Sequence, residues 1–388
     1  MTLRPAVPDE REPVGVGVLG YGFMGRAHAN ALRTIPYMFW PSRGRPELVA
    51  VAGRTEAAVR EAATRFGYAT WSTDWRDVVA DERVSVFDDV GPDAMHVEPT
   101  LAAIEHGKHV VCEKPLASSA ADALRLYEAA EAAGVKHLTC FNYRFFPAVR
   151  LAWELVRGGD LGELHQARFR YSQEWRTDPA AELPSPTGVL DIVGSHAIDQ
   201  ARFLCGGEIV SVSAAIGALT PTRTFRGAPA ETDDTVAVLA ELDSGLVATI
   251  DASLVSPGRR NHLAWELNGS KGSVAWNLEE PNVLRFHRRD AGRFGGFTEV
   301  IACEADHPLT GPWWPTGHVL GWEHGHINML AHFVDAVASD TPVEPFGATF
   351  LDGLRAAQVA EAGEQAAGSG ERVAVPGAPV AAAAGGRA

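Results

Sequence analysis

A chain of 388 residues, 46% of them hydrophobic, is long enough for two domains with a core apiece and too apolar for general disorder. Its formal charge of −15 argues against a nucleic-acid binder, which presents a basic face. The polar, proline-rich start MTLRPAVPDEREP has no apolar signal core, no run of about eighteen apolar residues offers a membrane span, and Cys112, Cys140, Cys205 and Cys303 form no C-x-x-C pair, so a reduced, cytoplasmic chain without disulfide framework or zinc site is expected.

Residues 1–12 read as a flexible lead. Val14–Leu19 is apolar, rich in valine and uncharged, the pattern of a strand buried on both faces of a parallel sheet. Gly20-Tyr21-Gly22-Phe23-Met24-Gly25 follows at once and matches G-x-G-x-x-G where a strand turns into a helix, Arg26–Arg33. Gly20 permits the tight turn, Gly22 lets the backbone approach a pyrophosphate and Gly25 lets the helix pack closely on the sheet. The bland alternative is a plain glycine turn in a chain with 39 glycines. Ile35–Pro46 reads as an aromatic, proline-rich insertion, Glu47–Ala52 as the second strand and Thr55–Phe66 as a helix. Strands at Val84–Val90, Lys108–Cys112 and Val135–Phe141 then alternate with helices at Pro92–Gly107 and Ser118–Ala133. That alternation requires parallel pairing with helices on both faces, a doubly wound dinucleotide-binding domain over 13–142.

Past Asn142 the rhythm changes. A helix at Phe145–Gly158 leads into strands at Leu164–Tyr171, Ile209–Ala215, Thr235–Leu242, Leu246–Leu254, His262–Leu267 and Gly272–Trp276, with hairpin turns at Asp243-Ser244-Gly245 and Asn268–Gly272. Helices return at Ile327–Ser339 and Thr349–Gln365. Residues 143–375 therefore read as an α+β substrate-binding domain with a large, mostly antiparallel sheet, one face open to cover a cleft or pair with a subunit. The low-complexity tail 376–388 reads as disordered.

The second dinucleotide contact belongs at the end of the second strand, where NAD enzymes place a carboxylate for the ribose and NADP enzymes a cation. Here Val51-Ala52-Gly53-Arg54-Thr55 offers Arg54 and no acid, which opens NADP as well as NAD; a solvated arginine is the dull reading. Glu113-Lys114-Pro115 closes the strand Lys108–Cys112 and so lies on the same rim as the glycine loop. A lysine there can hydrogen-bond a substrate hydroxyl and stabilise charge developing on its oxygen.

Gly20–Gly25, Pro92 with His96, Glu113-Lys114-Pro115 and Gly194-Ser195-His196-Ala197-Ile198-Asp199 together resemble the glucose-fructose oxidoreductase / inositol dehydrogenase / MocA family. Met38–Pro41, Phe141–Arg144, Tyr171–Trp175 and Trp314-Pro315 resemble its levoglucosan-dehydrogenase-like branch. The resemblance implies a Rossmann domain, an α/β domain whose open sheet forms homo-oligomer contacts, and hydride transfer between nicotinamide C4 and a carbinol carbon of a sugar, glycoside or cyclitol. Carried over residue by residue, Gly20 to Gly25, Pro92, His96, Glu113 and Lys114 hold the cofactor, joined by Arg54 from its own place at the strand end. Lys114 orients the reacting hydroxyl and His196 accepts its proton, a role that suits an imidazole.

The family aspartate stands four residues before this histidine; here Ile192 occupies that position and Asp191 stands five before. On a regular helix five residues turn through about 500°, leaving the side chains about 140° apart. Either Asp191 sits at a bulge and still reaches in, or its catalytic role is lost, and Asp199 shares the histidine's face instead. Arg144, Gln173, Trp175, Arg176 and Asp199 are candidate sugar contacts, with Glu323, His324 and His326 placed before the late helix. The chemistry requires no metal. Beside the dehydrogenase stand a ketosugar reductase, a redox-neutral NAD-dependent glycoside-cleaving enzyme, and a non-catalytic NAD(P)-binding sensor, the last suggested by the displaced Asp191 and by Asp88-Asp89 at a strand end.

Overall fold

Valine-rich β1 (Glu12–Leu19) occupies the middle of a six-stranded sheet in the computed structural model, which describes residues 9–178, 180–183, 187–219 and 222–377. The predicted lead and tail fall mostly outside the described residues, and Glu12 already belongs to β1. Around it run β2 (Gly44–Ala52), β3 (Thr70–Ser72), β4 (Val86–Asp89), β5 (His109–Cys112) and β6 (His137–Thr139), in the order β3-β2-β1-β4-β5-β6 and parallel throughout. The connections are α1 (Phe23–Met38), α2 (Glu56–Phe66), α3 (Trp75–Ala80), α4 (Val97–Glu105) and α5 (Ala120–Ala133). This is the doubly wound sheet expected, and its strand order reverses between β1 and β4, where ligands collect at the carboxyl ends.

Local departures have local causes. β3 and α3 are too short to leave a periodic signature. α1 runs on through Pro36, because a proline in the last turn removes a single backbone bond while Ile35 is driven into the core. The stretch read as one helix at Pro92–Gly107 divides: Pro92 is extended, Asp93–Met95 makes a 3-10 turn, and α4 starts at Val97 with Pro99 in its first turn, where the missing N–H has no intrahelical partner to lose. Asp88 and Asp89 point to opposite faces of β4. Asp88 meets the buried His28 of α1 at 2.9 Å, while Asp89 accepts the Gly91 N–H at 3.0 Å and lies 3.4 Å from the Thr100 hydroxyl of α4. The acidic strand end thus pins two helices to the sheet.

The chain then enters α6 (Pro147–Arg157), β7 (Leu164–Ser172), a π turn at Leu190–Gly194 and α7 (Ser195–Cys205). Next come β8 (Ile209–Gly217), the hairpin β9 (Thr222–Phe225) and β10 (Ala228–Glu231), and β11 (Thr235–Leu242) to β12 (Val247–Ser253), β13 (His262–Gly269), β14 (Gly272–Asn277), β15 (Val283–Arg288) and β16 (Thr298–Ile301). With β17 (Val373–Ala374) they form a nine-stranded sheet ordered β16-β15-β14-β13-β7-β12-β11-β8-β17, antiparallel except where β7 meets β12; β9 and β10 pair apart from it. Phe169, Val238, Ile250 and Leu263 bury one face against α7 and its neighbours; the other, carrying Arg168, Leu239 and Thr249, is exposed.

α8 (Trp322–Ser339) and α9 (Phe350–Ser369) return to the first sheet. Met329, Phe333 and Val334 of α8 join Val16 and Ile35 in one core, and Phe350 and Leu354 of α9 join Val110 and Leu126 in another. The first sheet is therefore completed by chain from beyond the second. α8 begins a turn earlier than expected, so Glu323, His324 and His326 lie on the helix rather than before it.

Candidate functional site

The glycine loop shows three different constraints. Gly20 has φ +109°, and a Cβ there would lie 2.7 Å from the Val90 carbonyl oxygen. At Gly25 a Cβ would lie 2.4 Å from the carbonyl oxygen of Gly20, whereas at Gly22 it would meet nothing within 4 Å. α1 starts at Phe23 with no side-chain cap from Gly22 and no acid in its first turn, which leaves its N–H groups for an anion. This is the cradle a dinucleotide pyrophosphate fits. Tyr21 lies over Gly53, where a Cβ would come 2.0 Å from its ring, and Arg54 is exposed at the end of β2.

The loops after β4 and β5 are tied together by buried His96, whose Nδ1 lies 2.9 Å from the Pro115 carbonyl and whose Nε2 lies 3.2 Å from that of Gly91. Glu113 accepts the Lys114 N–H at 3.0 Å, and its other oxygen lies 3.3 Å from Nε2 of His28. Burial works against a charge on His28, but Asp88 and Glu113 outweigh it and raise its pKa to about 10. His326 has no such support: burial, with the His28 cation beside it, pushes its pKa down to about 3. His28, Glu113 and His326 bring potential metal ligands within 4.8 Å of one another.

Lys114 projects from the Glu113 loop into the cleft and donates from Nζ to the Ile192 carbonyl at 2.8 Å. Burial lowers its pKa against the opposing pull of Glu113, Asp93 and Asp191. His196 enters from α7, its ring 4.7 Å from that of Tyr143. Burial, Lys114 and His326 hold its pKa well below the usual histidine value, so the imidazole is neutral and able to take a proton. The opposite wall is a hydrogen-bonded row: Trp175 Nε1 donates to Gln173 Oε1, Gln173 Nε2 and the Tyr171 hydroxyl both donate to Asn261 Oδ1, each at 2.7 Å, and the Tyr143 hydroxyl lies 2.9 Å from that of Tyr171. Trp322 stacks on Phe23 at 5.3 Å. Together these residues enclose a cleft of about 630 Å³.

Of the residues expected from the sequence, Phe23, Met24, His96, Glu113, Lys114, Gln173, Trp175 and His196 line this cleft. Gly20, Tyr21, Gly22, Arg54 and Pro92 lie on the adjoining loops and Gly25 in the first turn of α1, outside it. Arg144 and Asp199, expected at the sugar, instead form a buried pair, with Arg144 Nη2 also 2.9 Å from Asp352. Arg176 is likewise turned away and donates to Thr232, to the Asp233 carbonyl and to the Thr187 carbonyl. Asp191 is not among the residues that line the cleft, yet it stands near enough to Lys114 for each to shift the other's pKa; burial together with Glu364, Asp233 and Asp93 raises its own to about 7 against the pull of Lys114. Tyr143, Tyr171, Asn261 and Trp322 supply walls that no local motif announced, although Tyr143 and Tyr171 fall within the fragments that carried the resemblance; His326, expected together with Glu323 and His324, lines the cleft while those two do not.

Residues 14–141 match the family described as "Oxidoreductase family, NAD-binding Rossmann fold" and residues 149–275 match the "GFO/IDH/MocA C-terminal domain". The levoglucosan dehydrogenase of Pseudarthrobacter phenanthrenivorans is 33% identical over 390 residues, covering 94% of this chain and 98% of that protein. A levoglucosan dehydrogenase structure in complex with NADH and levoglucosan superposes with a TM-score of 0.91 at 32% identity, over 94% of this chain and 100% of that one. An oxidoreductase domain protein from Kribbella flavida matches over the same shares at 35% identity, with a TM-score of 0.90. With its glycine cradle, its paired lysine and histidine and both family domains in place, the chain belongs to the Gfo/Idh/MocA family of NAD-binding oxidoreductases.

Proposed function

We propose that the protein is an NAD(P)-dependent dehydrogenase that moves a hydride between nicotinamide C4 and a carbinol carbon of a sugar, glycoside or cyclitol. The observation that carries this reading is the convergence of Lys114 and a neutral His196 on one cleft beside the glycine loop. When bound, the nicotinamide supplies the carbon that accepts the hydride. Lys114, its ammonium fixed at one corner, hydrogen-bonds the reacting hydroxyl and favours negative charge on its oxygen. His196 takes the hydroxyl proton as the hydride leaves. Trp175 and Trp322 offer flat faces for sugar C–H surfaces, and Gln173 and Asn261 offer groups for hydroxyls. The sugar-dehydrogenase relatives support the same substrate class.

The test offers a panel of sugars, glycosides and cyclitols with NAD and NADP separately and follows reduced nicotinamide. Lys114→Ala and His196→Ala are expected to lose turnover by about 10²–10⁴-fold while NADH still binds; turnover preserved in both would refute the assignment. Exposed Arg54 at the end of β2 supports acceptance of NADP as well as NAD, and a selective loss of NADP use in Arg54→Ala checks it. The exposed face of the nine-stranded sheet supports a homo-oligomer. Four free cysteines and no described helix long and apolar enough to cross a membrane support a cytoplasmic setting.

A further inference from the structure

Between Asp191 and His196 the chain carries a spacing that a regular helix cannot use, and the fold resolves it with a π turn at Leu190–Gly194 leading directly into α7. A π turn bonds residue i to i+5, so it absorbs one residue and sets a carbonyl off the ordinary i to i+4 ladder. Two groups of the turn are engaged from outside the backbone ladder. The Asp191 carbonyl accepts the Ser195 hydroxyl at 2.7 Å, and the Ile192 carbonyl accepts Lys114 Nζ at 2.8 Å. Ile192 and Val193 form the cleft wall there, and among the described contacts Lys114 Nζ bonds that carbonyl and not the Asp191 carboxylate.

We infer that the π turn is a positioning device for Lys114, in which the backbone carbonyl of Ile192, rather than a carboxylate, anchors the lysine ammonium at the reaction centre. One of the three ammonium protons is committed to that carbonyl, leaving two for the substrate oxygen and the cofactor. A neutral acceptor stabilises the ammonium less than a carboxylate would. The lysine is faced by Glu113 on its own loop, Asp93 after β4, Asp191 in the π turn and His196 on α7, and burial lowers its pKa against the pull of the three carboxylates. The inference rests on the assignment of Lys114 to the reaction.

Two variants change the anchor in opposite directions. Placing 2-hydroxyisovalerate at position 193 converts the Ile192–Val193 peptide into an ester and weakens the Ile192 carbonyl as an acceptor, with every side chain kept. Deleting Val193 removes the residue that the π turn absorbs, makes the spacing of Asp191 and His196 four and returns the Ile192 carbonyl to a regular ladder, leaving the Asp191 carboxylate as the acceptor offered to Lys114. The readout is the pKa of Lys114, from the pH dependence of its trinitrophenylation mapped by peptide mass spectrometry, with kcat measured alongside. The ester is expected to lower that pKa and cut kcat about tenfold, leaving NADH affinity unchanged; the deletion is expected to raise the pKa. An unshifted Lys114 pKa in the ester protein overturns the inference, and the ester decides it alone should the deletion fail to fold. If Lys114→Ala retains turnover, the functional reading falls instead, whereas a dead Lys114→Ala beside an unaffected ester protein removes only the anchoring role.

Discussion

Lys114 and His196 carry opposite protonation states in the same cleft, and the fold arranges this with few charges. Burial lowers both pKa values, and the lysine's charge adds to the effect on the histidine. His196 therefore stays neutral as pH falls below the ordinary histidine range, and Lys114 loses its proton below the ordinary lysine value. The plot of kcat/KM against pH is expected to be bell-shaped, with its acidic limb below pH 6.5 and its basic limb below pH 10.5, the unperturbed values of the two groups. An acidic limb above 6.5 would remove His196 as the base. The sequence showed that these two residue types stand in the right motifs. It could not show their protonation, because burial and neighbours set it.

Among the elements, α7 illustrates how a charged residue in a recognised motif acquires a structural task. Arg144 from the turn before α6 grips Asp199 of α7 and Asp352 of α9; Arg202 of α7 binds the same Asp352 at 2.9 Å and Glu208 at 2.7 Å. This network joins three elements around the cleft without entering it. Arg144→Met leaves Asp199 buried and unpaired, and is expected to cost about 3–5 kcal/mol of stability in urea unfolding while KM for the sugar holds. A rise in KM without loss of stability would return Arg144 to the substrate.

The same network sets the response to acid. Burial opposes ionisation of Asp352, but Arg144 and Arg202 outweigh it and hold its pKa at about 2 against 3.8 unfolded. The unfolded chain thus binds more protons in this range, so the stabilisation is present above pH 3.8 and lost as pH falls toward 2. It amounts to about 2 kcal/mol. Urea unfolding at pH 5 and pH 2.5 measures it, and the pH dependence is expected to be shallower in Arg144→Met.

At the scale of the whole molecule, one face of the nine-stranded sheet closes over α7 while the other presents Leu239, 52% exposed, and Val247, 48% exposed, among small and charged residues. Light scattering after gel filtration is expected to give a multiple of the 41.4 kDa chain, reduced by Leu239→Arg. A monomeric wild type would assign that face to solvent.

The glycine loop, the alternation of strand and helix and the strand-rich second half were legible because each is a local pattern: a backbone constraint or a period of 3.6 or 2 reads directly from adjacent residues. So were Lys114 and His196, which sit in compact motifs. What joins distant segments was decided by packing alone. His28 finds Asp88 across 60 positions, Arg144 finds Asp199 across 55, and α8 and α9 cover a sheet whose last strand ends at Thr139, long before α8 starts at Trp322. The one-residue excess before His196 was visible in the sequence, but its resolution as a π turn that hands a carbonyl to Lys114 depended on where β5 delivers that lysine. A hydrogen bond between segments 78 positions apart has no local signature, because its geometry exists only once both sheets are in place.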